Sequence, residues 1–480
     1  MTPDSFAPVF RAAVVACTAL VVVVVVVVVA TPALAQQPPA APPATAPRPA
    51  YDNLRFREDW SAVQRGDAFD PLKRIALNDS GSVWLSLGGH VRARGESVQN
   101  FLGGGIGTRD DAFGLLRAHL HADLRVGPHA RLFLETRQSV AVDRDLPGGA
   151  RLIDRNTLDL GNAFAEVSGA VMGRQTSLRL GRQELALGRE RIVSPLDWVN
   201  VRRVFHGAAL ESQRGPLTLG AFAMRPLTVI RTRADVADTR TAFWGSTVAW
   251  QRPKNPRVIE GALLVKEVNA VGATPRARRA TATARVITPV GISGVLLEVE
   301  GGAQQVLTGS AVSYASMISS DLTWSRAGGW APALSVGVDR SSGTGAGATA
   351  QSETWDQLYP LAHAFAGFAD ALGRRNLIEE RVVLQASPRA AVRLRLAAHL
   401  FQRASVSDAV YDPAGAVLRA SAAGASRAIG AEVDATAQWR IGRHVRLDGG
   451  AARFAPGQFM RDTGASSAYT WLYTSLTTTF

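Results

Sequence analysis

At 480 residues the chain is long enough for one large barrel or for several ordinary domains. A single cysteine, Cys17, excludes a disulfide framework, and beyond the N-terminus no apolar run approaches the ~20 residues of a membrane-spanning helix. The formal net charge of +13 points to an anionic counterpart: nucleic acid, lipid headgroups or an acidic solute.

Ala12 to Ala30 is almost wholly apolar and includes an unbroken valine run from Val21 to Val29. Ala33-Leu34-Ala35 then supplies a small-x-small site ahead of Gln36, so residues 1–35 are expected to be a cleaved export signal that takes Cys17 with it. An uncleaved anchor is the other reading, because Arg11 alone forms the positive region and the apolar run exceeds the usual ~7–15 residues. The polar, proline-rich segment after the site favours cleavage. Residues 36–50 are Pro/Ala-rich and read as an extended linker. Residues 51–80 are polar and irregular, with Tyr51, Phe56, Trp60 and Phe69 as aromatic punctuation. They are expected to lie against a periplasmic mouth.

From residue 81 to 480 the texture is alternating. Leu85, Leu87, Gly89 and Val91 share one face, and His90, Arg92, Arg94 and Glu96 the other. Leu115 to Val126 is the clearest ribbon, with Leu116, Ala118, Leu120, Ala122, Leu124 and Val126 opposite Arg117, His119, His121, Asp123 and Arg125. Leu132 and Leu134 likewise oppose Arg131, Glu135 and Arg137. A period of two marks strands, because successive strand side chains point to opposite faces. Similar segments recur to the C-terminus and give about eighteen strands, each near the ~10 residues of a tilted membrane-spanning strand. Short turns such as Gly127-Pro128-His129, Gly215-Pro216, Ser387-Pro388-Arg389 and Gly442-Arg443-His444 alternate with long loops. The long loops are Gln99–Asp110, Asp143–Arg155, Gly188–Arg202, Ser342–Arg375 and Tyr411–Ala425. The expected fold is therefore all-β: an antiparallel outer-membrane barrel with short periplasmic turns and long extracellular loops. Its greasy faces meet lipid and its charged faces line a lumen. Ser342–Arg375 turns aromatic in its second half, at Trp355, Tyr359, Phe365 and Phe368, which suits a loop folded into the pore or packed on its rim. The last strand ends on Phe480, the form of signal read by the barrel assembly machinery.

Several segments, in order, resemble the alginate-export family of outer-membrane barrels. They are Leu180-Gly181-Arg182-Gln183-Glu184-Leu185 with Trp198-Val199-Asn200, Leu358-Tyr359-Pro360 through Asp370, Ile429-Gly430-Ala431-Glu432-Val433-Asp434, and Phe454-Ala455-Pro456-Gly457. Glu58-Asp59-Trp60 and Asp70-Pro71-Leu72-Lys73 are also similar. The resemblance implies a monomeric pore of about eighteen strands for an acidic polysaccharide. It places arginines at the constriction, Arg182 among them and Arg446 at another basic position. Asp448 departs from the pattern where a second basic residue is expected.

The lumen-side residues then make a substrate path of Arg92, Arg94, Arg117, Arg137, Arg182, Arg395 and Arg446, with Arg125 and Arg393 on the same faces and Arg179 as the alternative to Arg182. Guanidinium forks match carboxylates in bidentate geometry, and several weak sites in series let a polyanion pass. Glu432 and Asp434, with Glu96, Asp123 and Glu135, keep neighbouring arginines extended. The bland alternative is that such arginines only brace the wall. His119 and His121 have no third ligand placed to complete a metal site, so polar lining is the expectation, with no cofactor and no metal. No nucleophile–base constellation suggests an enzyme, and no aromatic platform interleaves with the basic residues for nucleic acid. The function expected is passage of an alginate-like polyuronate through an arginine-lined lumen in the outer membrane. The alternatives are uptake of small anionic solutes and, further off, a structural or adhesive barrel. Lipid, the assembly machinery and periplasmic secretion proteins are the expected partners.

Overall fold

A computed structural model describes residues 48–63, 66–100, 110–146, 149–272, 274–349 and 351–480. The expected signal, most of the linker and most of the Gln99–Asp110 loop lie outside the described residues.

Eighteen strands close into one antiparallel barrel. They begin with β1 Val83–Gln99, β2 Asp111–Val126, β3 Ala130–Val142, β4 Asn156–Val171, β5 Arg174–Gln183 and β6 Phe205–Arg214. The next are β7 Leu217–Thr228, β8 Thr241–Gln251, β9 Val258–Val268, β10 Ala277–Pro289, β11 Val295–Thr308 and β12 Ala311–Ser325. The last are β13 Ala333–Ser341, β14 Leu377–Arg389, β15 Val392–Arg403, β16 Ala428–Ile441, β17 Val445–Pro456 and β18 Tyr469–Thr479. Each strand pairs with its neighbours in sequence, and β18 closes on β1 through the register Val91↔Thr478 to Gln99↔Thr470. Closure leaves no row of unpaired N–H and C=O groups facing lipid, where each orphan costs several kcal/mol.

Burial runs opposite to that of a soluble protein. On β2, His119 is 2% exposed and its neighbour Leu120 is 52% exposed. Leu132, Leu134, Leu263, Val336, Leu384 and Val433 are exposed on other strands, while Arg92, Arg117, Glu135 and Arg137 are buried. The greasy ribbon face is the outer belt and the charged face points into the barrel.

The turns at Gly127-Pro128-His129, Gly215-Pro216 and Gly442-Arg443-His444 stand at one end, with both described termini. Gly127 (φ +59°) and Gly442 (φ +70°) adopt the left-handed conformation that these tight reversals need. Ser387-Pro388-Arg389 is not a turn: β14 runs through it with a register shift between Ala386 and Arg389, and Ala390-Ala391 make the reversal. Proline has no N–H to donate, and a bulge accommodates it without a lost ladder bond. The long connections occupy the other end, at 184–204, 342–376 and 404–427, so their bounds are wider than the sequence suggested. Gly309-Ser310, between β11 and β12, is a tight exception at that end.

Two of these loops fold into the lumen. Tyr359 N donates to Ile192 O at 2.9 Å and Ser194 N to Tyr359 O at 2.8 Å, a short parallel ladder between loops 184–204 and 342–376. Ile192, Val193, Trp355, Leu358 and Tyr359 pack on Phe205, Phe222, Phe243 and Met317 of the wall. Ala366, Ala369 and Leu372 pack on Phe113, Phe401, Phe454 and Trp471. Both clusters fill the long-loop half of the barrel. Arg374 secures them: its guanidinium meets Asp339 at 2.7 Å and donates to Arg191 O at 3.3 Å, while Arg191 pairs with Glu300 (3.1 Å), Asp321 (3.0 Å) and Asp339 (3.4 Å).

The N-terminal segment enters the short-turn mouth. Arg55 donates to Gly89 O and to Phe480 O, each at 2.9 Å, and pairs with Glu58. Phe56 sits edge-on to Phe133 and Phe164, with ring centroids 6.1 and 5.4 Å away. At the rim His444 meets Asp67 at 2.8 Å and Phe69 stacks on Phe480. Burial raises the Asp67 carboxyl, but the Phe69 amide, His444 and Arg48 hold it below its usual range. Burial, then the neighbouring Arg55 guanidinium, pushes the Lys73 ammonium down to about 8.

Candidate functional site

Strand register sets the site. Arg395, Thr436, Gly450, Tyr473 and Glu96 share one inward row across β15, β16, β17, β18 and β1. Arg393, Gln438, Asp448, Ser475 and Arg94 form the next row toward the short-turn end. Arg440, Arg446, Thr477, Arg92 and Arg117 form the one after it. Period-two alternation therefore stacks basic residues along one side of the lumen.

These arginines divide by partner. Arg92, Arg94 and Arg117 converge on the tip of loop 184–204. Arg92 donates to Asp197 O and Val199 O at 2.9 Å each, and Arg94 to Trp198 O at 2.6 Å. Arg117 reaches Asp197 O at 2.8 Å and its carboxylate at 2.7 Å. Arg94 also pairs with Glu96 at 2.7 Å. Arg202 joins the Asp197 carboxylate from below and is held by Glu184 and Asn53. Arg137 is fully buried and bonded to the Asp235 carboxylate at 2.6 Å and to Arg202 O. Arg182 pairs with Asp159 at 3.1 Å and donates to Asp235 O. The others face open lumen. Among the described residues Arg446 bonds only to Asp448 and keeps 43% of its side chain exposed, and Arg395 bonds to Asp434 with 21% exposed. Arg393 is exposed and has no ion pair among the described residues. Asp448, the departure from the expected basic pattern, spaces Arg446 from the row above.

Glu432 and Asp434 face inward and bind a lumen loop. Glu432 accepts the Ala369 amide at 2.8 Å and Asp434 the Phe368 amide at 3.1 Å. His119 lies 3.3 Å from Glu135, and His121 stacks on Phe133. Among the described residues no group of three His, Cys, Asp or Glu is placed to hold a metal ion.

Two chambers beside the lumen loops lie in the short-turn half. One, of about 330 Å³, is lined by Arg92, Arg393, Arg395 and Arg446, by Glu190, Asp197 and Asp448, and by Trp198, His363, Phe368 and Tyr473. The other, of about 340 Å³, is lined by Glu190, Glu211, Glu260 and Glu300 against Arg57 and Arg285. Asn53 borders the first chamber and Arg57 the second, so the N-terminal segment and loop 184–204 form the partition. Sequence reasoning did not find Asp197, Asp235, Arg191, Asp339 or Arg374 as anchors of the lumen loops, nor Arg203, which donates to Ser194 O at 3.0 Å and to Tyr359 O at 2.6 Å. Trp198 was legible only as part of a motif. An aromatic next to Asp197 in a long polar loop was the available signal.

Fold and lumen together define an outer-membrane β-barrel pore. The sequence matches the Alginate export profile over residues 83–473, and the chain belongs to that family. Among solved structures it is similar to the outer-membrane protein OpdK (OccK1) of Pseudomonas aeruginosa, with 12% identity and a TM-score of 0.55 over 82% of this chain and 98% of that one. OpdK with vanillate aligns at 13% identity and a TM-score of 0.54 over 82% and 99%. OccK2 (OpdF) of the same organism, in complex with glucuronate, aligns at 12% identity and a TM-score of 0.51 over 82% and 98%. These likenesses are of fold. No curated protein matches the chain.

Proposed function

We propose that the pore passes carboxylate-bearing saccharides of the alginate-like, polyuronate type, taken up at the basic chamber. The observation that carries this is the column Arg395, Arg393 and Arg446, set on successive inward rows and facing open lumen. Arginines in series bind carboxylates well enough to admit them and weakly enough to release them. The chamber lies in the short-turn half, which barrel asymmetry places toward the periplasm. An exporter meets its substrate from that side. The family's designation and the glucuronate-bound OccK2 are consistent with the same chemistry.

A second reading, uptake of small anionic solutes, is favoured by a different observation. Trp355, Tyr359 and Phe365 pack the long-loop half, and about 330 Å³ of chamber suits a small molecule unless the loops withdraw. Planar-bilayer recording separates the two. Anion-selective conductance blocked by polyuronate is the expected result. Block by small anions alone would favour the second reading, and a silent bilayer would leave the structural one. The triple variant Arg393→Gln, Arg395→Gln, Arg446→Gln is expected to shift the reversal potential toward cation selectivity. An unchanged potential removes the basic column from the mechanism.

A further inference from the structure

We propose that the loop tip Asp197-Trp198-Val199 is a built-in stand-in ligand, covering a second carboxylate subsite made by Arg92, Arg94 and Arg117 that an incoming polyuronate uncovers by displacing it. The proposal rests on the polyuronate reading and adds its regulation. The tip offers these three guanidiniums three backbone carbonyls and one carboxylate: Asp197 O and Val199 O to Arg92, Trp198 O to Arg94, and Asp197 O, Val199 O and the Asp197 carboxylate to Arg117. Carbonyls carry no full charge, so a carboxylate in their place adds a bidentate ion pair to the hydrogen bond.

The arrangement is under-satisfied. Arg92, Arg94 and Arg117 are all deeply buried, and the Nε of each has no hydrogen-bond partner among the described residues. A buried donor without an acceptor is costly, and a carboxylate bridging Nε and a terminal nitrogen removes that cost. The charges facing the three arginines are few. Asp197 is shared with Arg202, Glu96 pairs with Arg94 alone, and Glu184 is taken by Arg202. Uronate chains carry a carboxylate on each sugar, so one segment can replace several carbonyls at once.

The tip is also placed for exchange. Asp197 and Trp198 border the basic chamber, and Arg92 lines it. A chain bound at Arg393 and Arg446 lies next to the tip, because Arg446, Thr477, Arg92 and Arg117 share a row. Leu196, which leads into the tip, sits at φ +58°, a conformation that a leucine rarely adopts. Opposing displacement, the Trp198 ring lies between Arg94, 4.1 Å from its centroid, and His363, stacked at 3.7 Å. Those contacts keep the site covered when no polyanion is present.

The test uses the full-length barrel in planar bilayers, with hexamannuronate as blocker and a neutral hexasaccharide as control. Asp197→Asn weakens the stand-in but keeps its carbonyls. It is expected to lower the half-blocking concentration of hexamannuronate roughly fivefold or more. Adding Arg92→Gln to that variant is expected to remove the gain. In the unmodified protein, saturating hexamannuronate is expected to speed hydrogen exchange at the Asn200 and Val201 amides, which both donate to Ile153 O. That readout does not depend on any variant folding. Unchanged or weaker block by Asp197→Asn in a folded barrel, or unchanged exchange at those amides, overturns the stand-in while leaving a uronate-blocked pore intact. A wild-type pore that hexamannuronate does not block overturns both this proposal and the function on which it rests.

Discussion

Arg137 shows what a charged residue becomes when a loop closes over it. It sits on a lumen-facing strand position, yet its guanidinium is held by Asp235 at 2.6 Å and has Asp159 at 4.0 Å. Asn156 also donates to Asp235, while Asp159 is held more closely by Arg182, at 3.1 Å. Arg137→Ala is expected to cost about 3–5 kcal/mol, because it leaves the buried Asp235 carboxylate without its ion-pair partner. Semi-native electrophoresis against temperature would show earlier loss of the folded barrel, with Arg393→Ala as the near-neutral comparison. Equal midpoints for the two variants would mean that Arg137 carries no structural weight. Alternation along β3 was enough to place Arg137 inside. It was not enough to predict its partner, since Asp235 lies in a distant loop.

The element most at odds with its modest sequence is the segment from residue 48 to β1. The expectation was a polar stretch lying against the mouth. It does lie at the mouth, through Asp67 and Phe69, and it also inserts Leu54 and Phe56 into the lumen and binds the C-terminus through Arg55 and Phe480 O. Its docking carries a pH signature. Lys73 is buried, donates to Leu87 O at 2.6 Å, and titrates near 8 when docked, against about 10.4 when free. The undocked segment therefore holds the proton more tightly between those values. The Lys73 contribution should strengthen docking as pH rises from about 8 toward 10 and add no slope below that window. The check is the rate of proteolysis within residues 66–82 across this range, with Lys73→Met expected to flatten the slope. An equal slope in the variant would assign the effect to another group.

At the scale of the whole molecule, the wall does not set the bore; the loops do. Asp339 on β13 receives Arg191 from one lumen loop and Arg374 from the other, so a single carboxylate ties both to the β11–β14 wall. Asp339→Asn keeps the shape and removes the charge that the two buried arginines share, leaving Arg191 its Glu300 and Asp321 partners. It is expected to give larger and noisier single-channel currents as the loops loosen in place. Unchanged currents from a folded variant would show that apolar packing alone, through Trp355, Tyr359 and Phe365, holds the loops.

What the sequence determined by itself is whatever depends on near neighbours. Period-two alternation fixed the strands and the side on which Arg92, Arg117, His119 and Leu120 lie, because a strand's geometry alone sends successive side chains to opposite faces. Alternating loop lengths fixed the polarity of the barrel. The tertiary structure decided which inward arginines are open and which are occupied. Arg393 and Arg446 face lumen, while Arg92, Arg94 and Arg117 grip Asp197–Val199 from about a hundred positions away along the chain. No local pattern encodes that pairing. It arises when long loops bury aromatic residues inside the barrel and carry their carbonyls to the charged wall.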